Sequence, residues 1–273
     1  VKEMKRRYEK ASKLPSEFVA EFAKTKSEAL LAWQQARSES NFEMFRPTLQ
    51  KLIDMTKQKI GFYGIETTPY DVLLDEFEVG MTVEDYDPLF DGLKQRLVPL
   101  LQKIMNAKET NPDPILPEQM TFSIEGQTEF CTKVSNAMGF DFEGGRMDIS
   151  THPFSAGLWP GDTRFTTRFD EKDPFSCLYA VMHETGHALY ELNLPYKWKY
   201  QPAGKSRGMA MHESQSLLIE MQITRSKAFK KYLSGVLKNN FNFIEACWNT
   251  ENIYKIGTRV NKSYIRVESD EVT

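Results

Sequence analysis

The sequence predicts a mainly α-helical chain with a small antiparallel β-sheet lying just before one histidine-bearing helix. Two observations lead there. Apolar residues recur at three- and four-residue spacing through most of the chain, the period of a helix with one buried face. Between residues 144 and 169 that period gives way to short alternating runs flanked by glycine pairs, the pattern of strands and turns. A chain of 273 residues can bury a substantial core, and no long linker divides it, so one domain over 1–273 is expected.

The elements follow in order. The start, Val1-Lys2-Glu3-Met4-Lys5-Arg6-Arg7-Tyr8, is a charged helical segment. Pro15 and Ser16 open a helix whose Phe18, Val19, Phe22, Ala29, Leu30 and Trp33 share a face. Asn41 caps the next, which carries Leu49, Leu52, Ile53 and Met55 and ends before Gly61. Gly61–Pro69 and Gly80–Met81 read as turns. Thr82 with Asp85 makes a near capping box for a helix bearing Leu89, Leu93, Leu97, Leu100, Leu101 and Ile104. These stripes read as core. Asn111–Pro117, with its prolines, is a loop, and Ser123 to Gly139 is a helix that the glycine stops. Arg146–Thr151 and Arg164–Phe169 follow glycine pairs and are β-prone. Pro174 to about Asn193 is helical, the loop Leu194–Gly208 follows, and Met211–Met221 is a second amphipathic helix. Ser226–Asn239 and roughly Asn242–Ile256 complete the helices.

Composition excludes several classes. Acidic and basic residues nearly balance at a net −3, which gives no case for nucleic-acid or membrane binding. Cys131, Cys177 and Cys247 have no close spacing and read as small core residues in a reducing compartment. No apolar run reaches the roughly 20 residues needed to cross a bilayer. The charged start has no apolar segment behind it and is no signal peptide, so a cytoplasmic protein is expected.

The chemistry centres on His183-Glu184-Thr185-Gly186-His187. On a helix, residues four apart share a face, so His183 and His187 can present two imidazoles to one ion. Glu184, beside them, stands where metallopeptidases with this motif hold their general base. The chain has only four histidines, which makes a chance pairing around a glutamate a poor explanation. A catalytic zinc site needs a third ligand and an open position. Glu191 is eight residues from His183, roughly 12 Å of helix rise, too far for three ligands on one straight helix to converge. Glu213 on the next helix is the preferred third ligand, since an antiparallel helix pair would carry it back to the histidines. His212 points about 100° away from Glu213; it is either a partner behind a ligand or simply packed. Glu220 is a surface residue or another such partner.

Five short motifs together carry a resemblance. They are His152-Pro153-Phe154, Asp162-Thr163-Arg164-Phe165-Thr166, the pentad, His212-Glu213-Ser214-Gln215, and Ile265-Arg266-Val267-Glu268-Ser269-Asp270. In this order they resemble the thermostable carboxypeptidase Taq family of zinc metallocarboxypeptidases, which have a largely helical fold. The resemblance implies that His183, His187 and Glu213 bind one zinc ion per chain, cobalt being the other candidate, and that Glu184 is the catalytic carboxylate. It implies removal of C-terminal residues from peptides with a free C-terminus, and it includes a homodimer among the assembly states. Members are longer than this chain, and a sixth family motif would lie beyond residue 273, so a fragment cut at both ends is expected.

A carboxypeptidase also needs a cation for the terminal carboxylate, a task that suits the planar fork of arginine. Arg266, in the motif that the family associates with the active-site groove, is the first candidate and Arg164 the second. Each could instead form a structural salt bridge, Arg164 with Asp162 as its partner. His152 precedes Pro153, which favours extended backbone beside the cleft, in either a substrate-contact or a structural role. An endopeptidase or oligopeptidase would use the same zinc machinery without the arginine. The non-enzyme alternative is a helical fragment that binds metal without turnover.

Overall fold

The computed structural model describes residues 1–107, 113–115, 121–241 and 246–260. They fall into two compact units, Val1–Asp91 and Gly92–Thr273.

The first unit contains α1 (Lys2–Ser12), α2 (Ser16–Ser38), α3 (Phe42–Tyr63), α4 (Pro69–Phe77) and the start of α5 (Val83–Ala107). Helices α2 and α3 pack along each other and bury Phe18, Ala29, Ala36, Met55 and Ile60. Asn41 caps α3 as expected, its side chain accepting from the Glu43 N–H at 3.2 Å. The helix then runs through Gly61 to Tyr63, three residues past the expected end. A mid-helix glycine costs only about 1 kcal/mol, which packing against α2 offsets. The turn expected over Gly61–Pro69 ends in a helix, α4, opened by a reciprocal capping box. The Asp71 N–H donates to Thr68 Oγ1 and the Thr68 N–H to Asp71 Oδ2. Asp75 on α4 accepts from Lys10 at 2.7 Å and so holds α1.

Helix α5 starts at the expected Thr82–Asp85 box, but its leucine stripe is not core. It buries no residue, and Leu89, Leu93, Leu100 and Leu101 are exposed, as are Val19 and Leu30 on α2. A helical period shows which face is apolar and says nothing of what covers it.

In the second unit α6 (Ile124–Ala137) ends as expected, with Gly139 at φ +102° just beyond it. A sheet of β1 (Gly145–Ile149), β2 (Ser155–Trp159) and β3 (Asp162–Thr167) follows, in the order β1-β3-β2. The expected sheet is there before the histidine helix, with one correction. β2 pairs antiparallel with β3, whereas β1 pairs parallel, Gly145 opposite Thr163 and Ile149 opposite Thr167. Alternation and turn residues locate strands but do not reveal that the last strand is central.

Helix α7 (Pro174–Leu192) is the hub of this unit, packed on α6, β2, β3 and the next helical pair. Asp173 caps it by accepting from the Phe175 and Ser176 N–H groups, and Pro174 at the first position has no N–H to satisfy. The expected single helix Met211–Met221 is two pieces: α8 (Met209–Leu217) and a π-helical turn, Leu218–Thr224. Then come α9 (Lys227–Asn240), capped by Ser226, and α10 (Thr250–Gly257). The core joins Phe130, Val134, Phe165, Leu178, Val181, Met182, Leu233 and Trp248. Of the expected loop Asn111–Pro117 only residues 113–115 are described, and residues 242–245 of the expected last helix lie outside the described set. Cys131, Cys177 and Cys247 are buried and unbridged. No helix among the described residues is long and apolar enough to cross a membrane.

Lys230 on α9 is fully buried, its Nζ donating to Tyr179 Oη at 2.8 Å. Burial, with Arg225 nearby, pushes its amine down to about 7. The unfolded amine keeps its ordinary value near 10.5, so between these limits the unfolded chain binds the extra proton and stability rises with pH. Below pH 7 the cost is fully present. Lys230→Met should therefore raise the Tm most below pH 7, and the gain should shrink toward pH 10.5. At about 1.4 kcal/mol per tenfold change in proton affinity, the effect reaches several kcal/mol. A gain that does not vary with pH in thermal melts would show that Lys230 does not titrate this way.

Candidate metal centre

Helices α7 and α8 bring the predicted residues together. Their contacts run in opposite order, His183 with Glu213 and Glu220, Gly186 with Gln215 and Ser216, His187 with His212, so the two helices are antiparallel. His183 Nε2 lies 3.5 Å from Glu213 Oε1 and His187 Nε2 lies 3.4 Å from Glu213 Oε2. One ligand atom from each of the three falls within 4.8 Å of the others. The crossing depends on Gly186: a Cβ there would stand 2.5 Å from both the Gln215 carbonyl oxygen and the Ser216 Cα. Both obstacles are backbone, so only glycine lets α8 come this close.

The backs of the two imidazoles have different partners. His183 Nδ1 donates to Glu220 Oε2 at 2.8 Å. His187 Nδ1 contacts the His212 carbonyl at 3.1 Å, and since a carbonyl only accepts, this nitrogen carries the proton. That turns both Nε2 atoms toward Glu213. His212 Nδ1, 2.6 Å from His187 Nδ1, then accepts, and its Nε2–H donates to Glu191 Oε1 at 2.9 Å. Glu191, too far along α7 to be a ligand, holds His212, which in turn braces His187. Such outer partners fix the tautomer and orientation of ligand histidines.

Charge in the site follows from burial and pairing. The hydrogen bond from His187 holds Glu213 below the usual carboxylate range despite its burial, helped by the nearby His183. The His212 bond does the same for Glu191. Burial pulls the His183 pKa down, but the bond and charge of Glu220, with Glu184 and Glu213, outweigh it and the net change is upward. Glu184 is only 6% exposed and its Oε2 has no hydrogen-bond partner. Burial raises its pKa to about 7, against the attraction of His183 and with repulsion from Glu213 and Glu220. A buried carboxylate oxygen without a partner, beside two imidazole nitrogens and a second carboxylate, fits a site for a divalent cation.

Of the other candidates, those among the described residues have other partners or surroundings. Arg164 points to the exposed face of β3, opposite the buried Thr163 and Phe165, and pairs bidentately with Asp162 at 2.9 Å for both bonds. Asp162 thus serves Arg164. His152 is exposed between β1 and β2, its carbonyl accepting from Ser150 Oγ. Arg266 and its motif lie outside the described residues. Sequence reasoning left Glu220 undecided between surface and support. Its spacing of seven from Glu213, two helical turns on the same face, was the signal that pointed inward.

The family model described as carboxypeptidase Taq (M32) metallopeptidase matches residues 1–273. The chain is 36% identical over 273 residues to Carboxypeptidase 1 of Bacillus subtilis (strain 168), a match covering 98% of this chain and 53% of that protein. It is 34% identical over 265 residues to Thermostable carboxypeptidase 1 of Pyrococcus furiosus, covering 96% and 52%. Among solved structures, Trypanosoma Cruzi Metallocarboxypeptidase 1 superposes with a TM-score of 0.88 at 34% identity, over 99% of this chain and 54% of that one. The chain spans about half the length of the curated relatives it matches.

Proposed function

Because the chain belongs to the carboxypeptidase Taq (M32) metallopeptidase family, we propose that it is the catalytic domain of a zinc-dependent metallocarboxypeptidase that removes C-terminal residues from peptides. The convergence of His183, His187 and Glu213 beside a buried Glu184 carries this reading. In it the three converging side chains hold one zinc or cobalt ion. When bound, such an ion acts as a Lewis acid on the scissile carbonyl and makes water acidic enough to deprotonate near neutrality. Glu184 accepts the water proton and delivers it to the leaving amine, a task suited to a carboxylate whose burial has raised its proton affinity. The edge strand β2, which packs on α7, takes the peptide backbone, where main-chain hydrogen bonds hold substrate without demanding its sequence. A cytoplasmic setting suits the unbridged cysteines.

Metal content tests the ligand assignment. Glu213→Ala should lower zinc occupancy sharply, since two imidazoles alone make an incomplete site. Occupancy at the parent level would remove Glu213 from the ligand set. Comparing a peptide acid with its C-terminal amide tests the carboxypeptidase reading. The acid should be cleaved at least tenfold faster, the effect of one charge-assisted bidentate contact worth about 1.5–3 kcal/mol. Equal rates would favour an endopeptidase.

A further inference from the structure

We propose that Arg225 is a positioning residue for the metal centre, acting through Glu220 on His183, and that the π-helical turn brings it there. The inference rests on the metal reading above.

The helical phase comes first. Glu213 and Glu220 are seven residues apart and share a face. Arg225 is twelve beyond Glu213, and in an unbroken α-helix it would lie roughly 120° around the axis from that face. The π-turn Leu218–Thr224 hydrogen-bonds one residue further along per step and delays the phase by roughly one residue, about 100°. Arg225 therefore returns close to the line of the two glutamates.

The contacts agree. Arg225 Nη2 lies 3.8 Å from Glu220 Oε1, while the other oxygen, Oε2, receives the His183 Nδ1 proton at 2.8 Å. One side of the carboxylate faces each partner, so the arginine fixes the plane in which Glu220 meets the imidazole. The guanidinium is itself held in place. Its Nη1 donates to the Gly257 carbonyl at the end of α10 at 3.0 Å, and it stacks 4.8 Å from the Tyr179 ring. Tyr179 sits one turn before His183 on α7, so the same helix supplies the ligand and the platform for its support. Lys230 anchors the tyrosine hydroxyl from α9. Both members of the Arg225–Glu220 pair are largely buried, where a misplaced partner is not replaced by water.

The test is a double-mutant cycle on the 273-residue chain, read by zinc affinity in competition with a chelating dye and by the visible spectrum of bound cobalt. Glu220→Gln should weaken zinc binding about tenfold or more, and Arg225→Gln about tenfold with an altered cobalt spectrum. The double variant should bind no more weakly than Glu220→Gln alone, because an arginine that works through Glu220 then has nothing to act on. Additive losses, or unchanged affinity in Arg225→Gln, overturn the inference. If Arg225→Gln does not fold, Arg225→Lys replaces it in the cycle, keeping a cation without the flat stacking plane, and the same non-additivity decides. No zinc binding by the parent chain, or full binding by His183→Ala, would overturn the metal centre itself.

Discussion

Replacing Glu184 with glutamine should leave metal content at the parent level and reduce kcat by roughly 10²–10⁴-fold, the range for losing a positioned general base. The two outcomes separate because Glu184 sits beside the ligand group without being one of its converging donors. Glutamine keeps the shape and buries no charge, so α7 should pack as before around a side chain that is 6% exposed. Peptide turnover with saturating zinc, alongside metal analysis of the same preparation, checks both halves. Turnover near the parent rate would end the general-base assignment, and lost metal would place Glu184 among the ligands.

Gly186→Ala should disturb the histidine site through a single added methyl group. Within a helix interior the exchange by itself gains about 1 kcal/mol, because alanine is the better helix former. Here the added carbon meets the backbone of Gln215 and Ser216 at 2.5 Å, and backbone cannot swing aside as a side chain does. Overpacking of this kind costs about 1–3 kcal/mol or more, and relief requires α8 to withdraw from α7. Glu213 would withdraw with it, so zinc affinity and stability should fall together. Urea unfolding with metal titration tests this. A variant that is more stable than the parent and binds zinc equally would show that the helices do not cross this closely.

The histidine helix was legible in the sequence because its signal is local: two histidines four apart, a glutamate between them, and a proline at the start. Glu213 was legible too, because rigid geometry ruled out Glu191 and left few alternatives. What the sequence could not show depends on long-range placement. The parallel pairing of β1 with β3 depends on which strand is central, and no local pattern records that. The exposed leucines of α5 have the same period as buried ones. Arg164 belongs to a family motif, yet strand alternation turns it away from α7 toward Asp162. Arg225 was invisible because the π-turn alters the phase on which any helical-face argument depends.

The central position of α7 also governs how the molecule breathes. Its backbone is enclosed by α6, the sheet and α8, so its amides can meet solvent deuterium only when most of this unit opens at once. Helix α5, which buries no side chain, can open by small fluctuations that leave the packing around α7 intact. Slow exchange is thus expected to concentrate on the helix that carries His183, Glu184 and His187, the segment that should be the last to lose its shape.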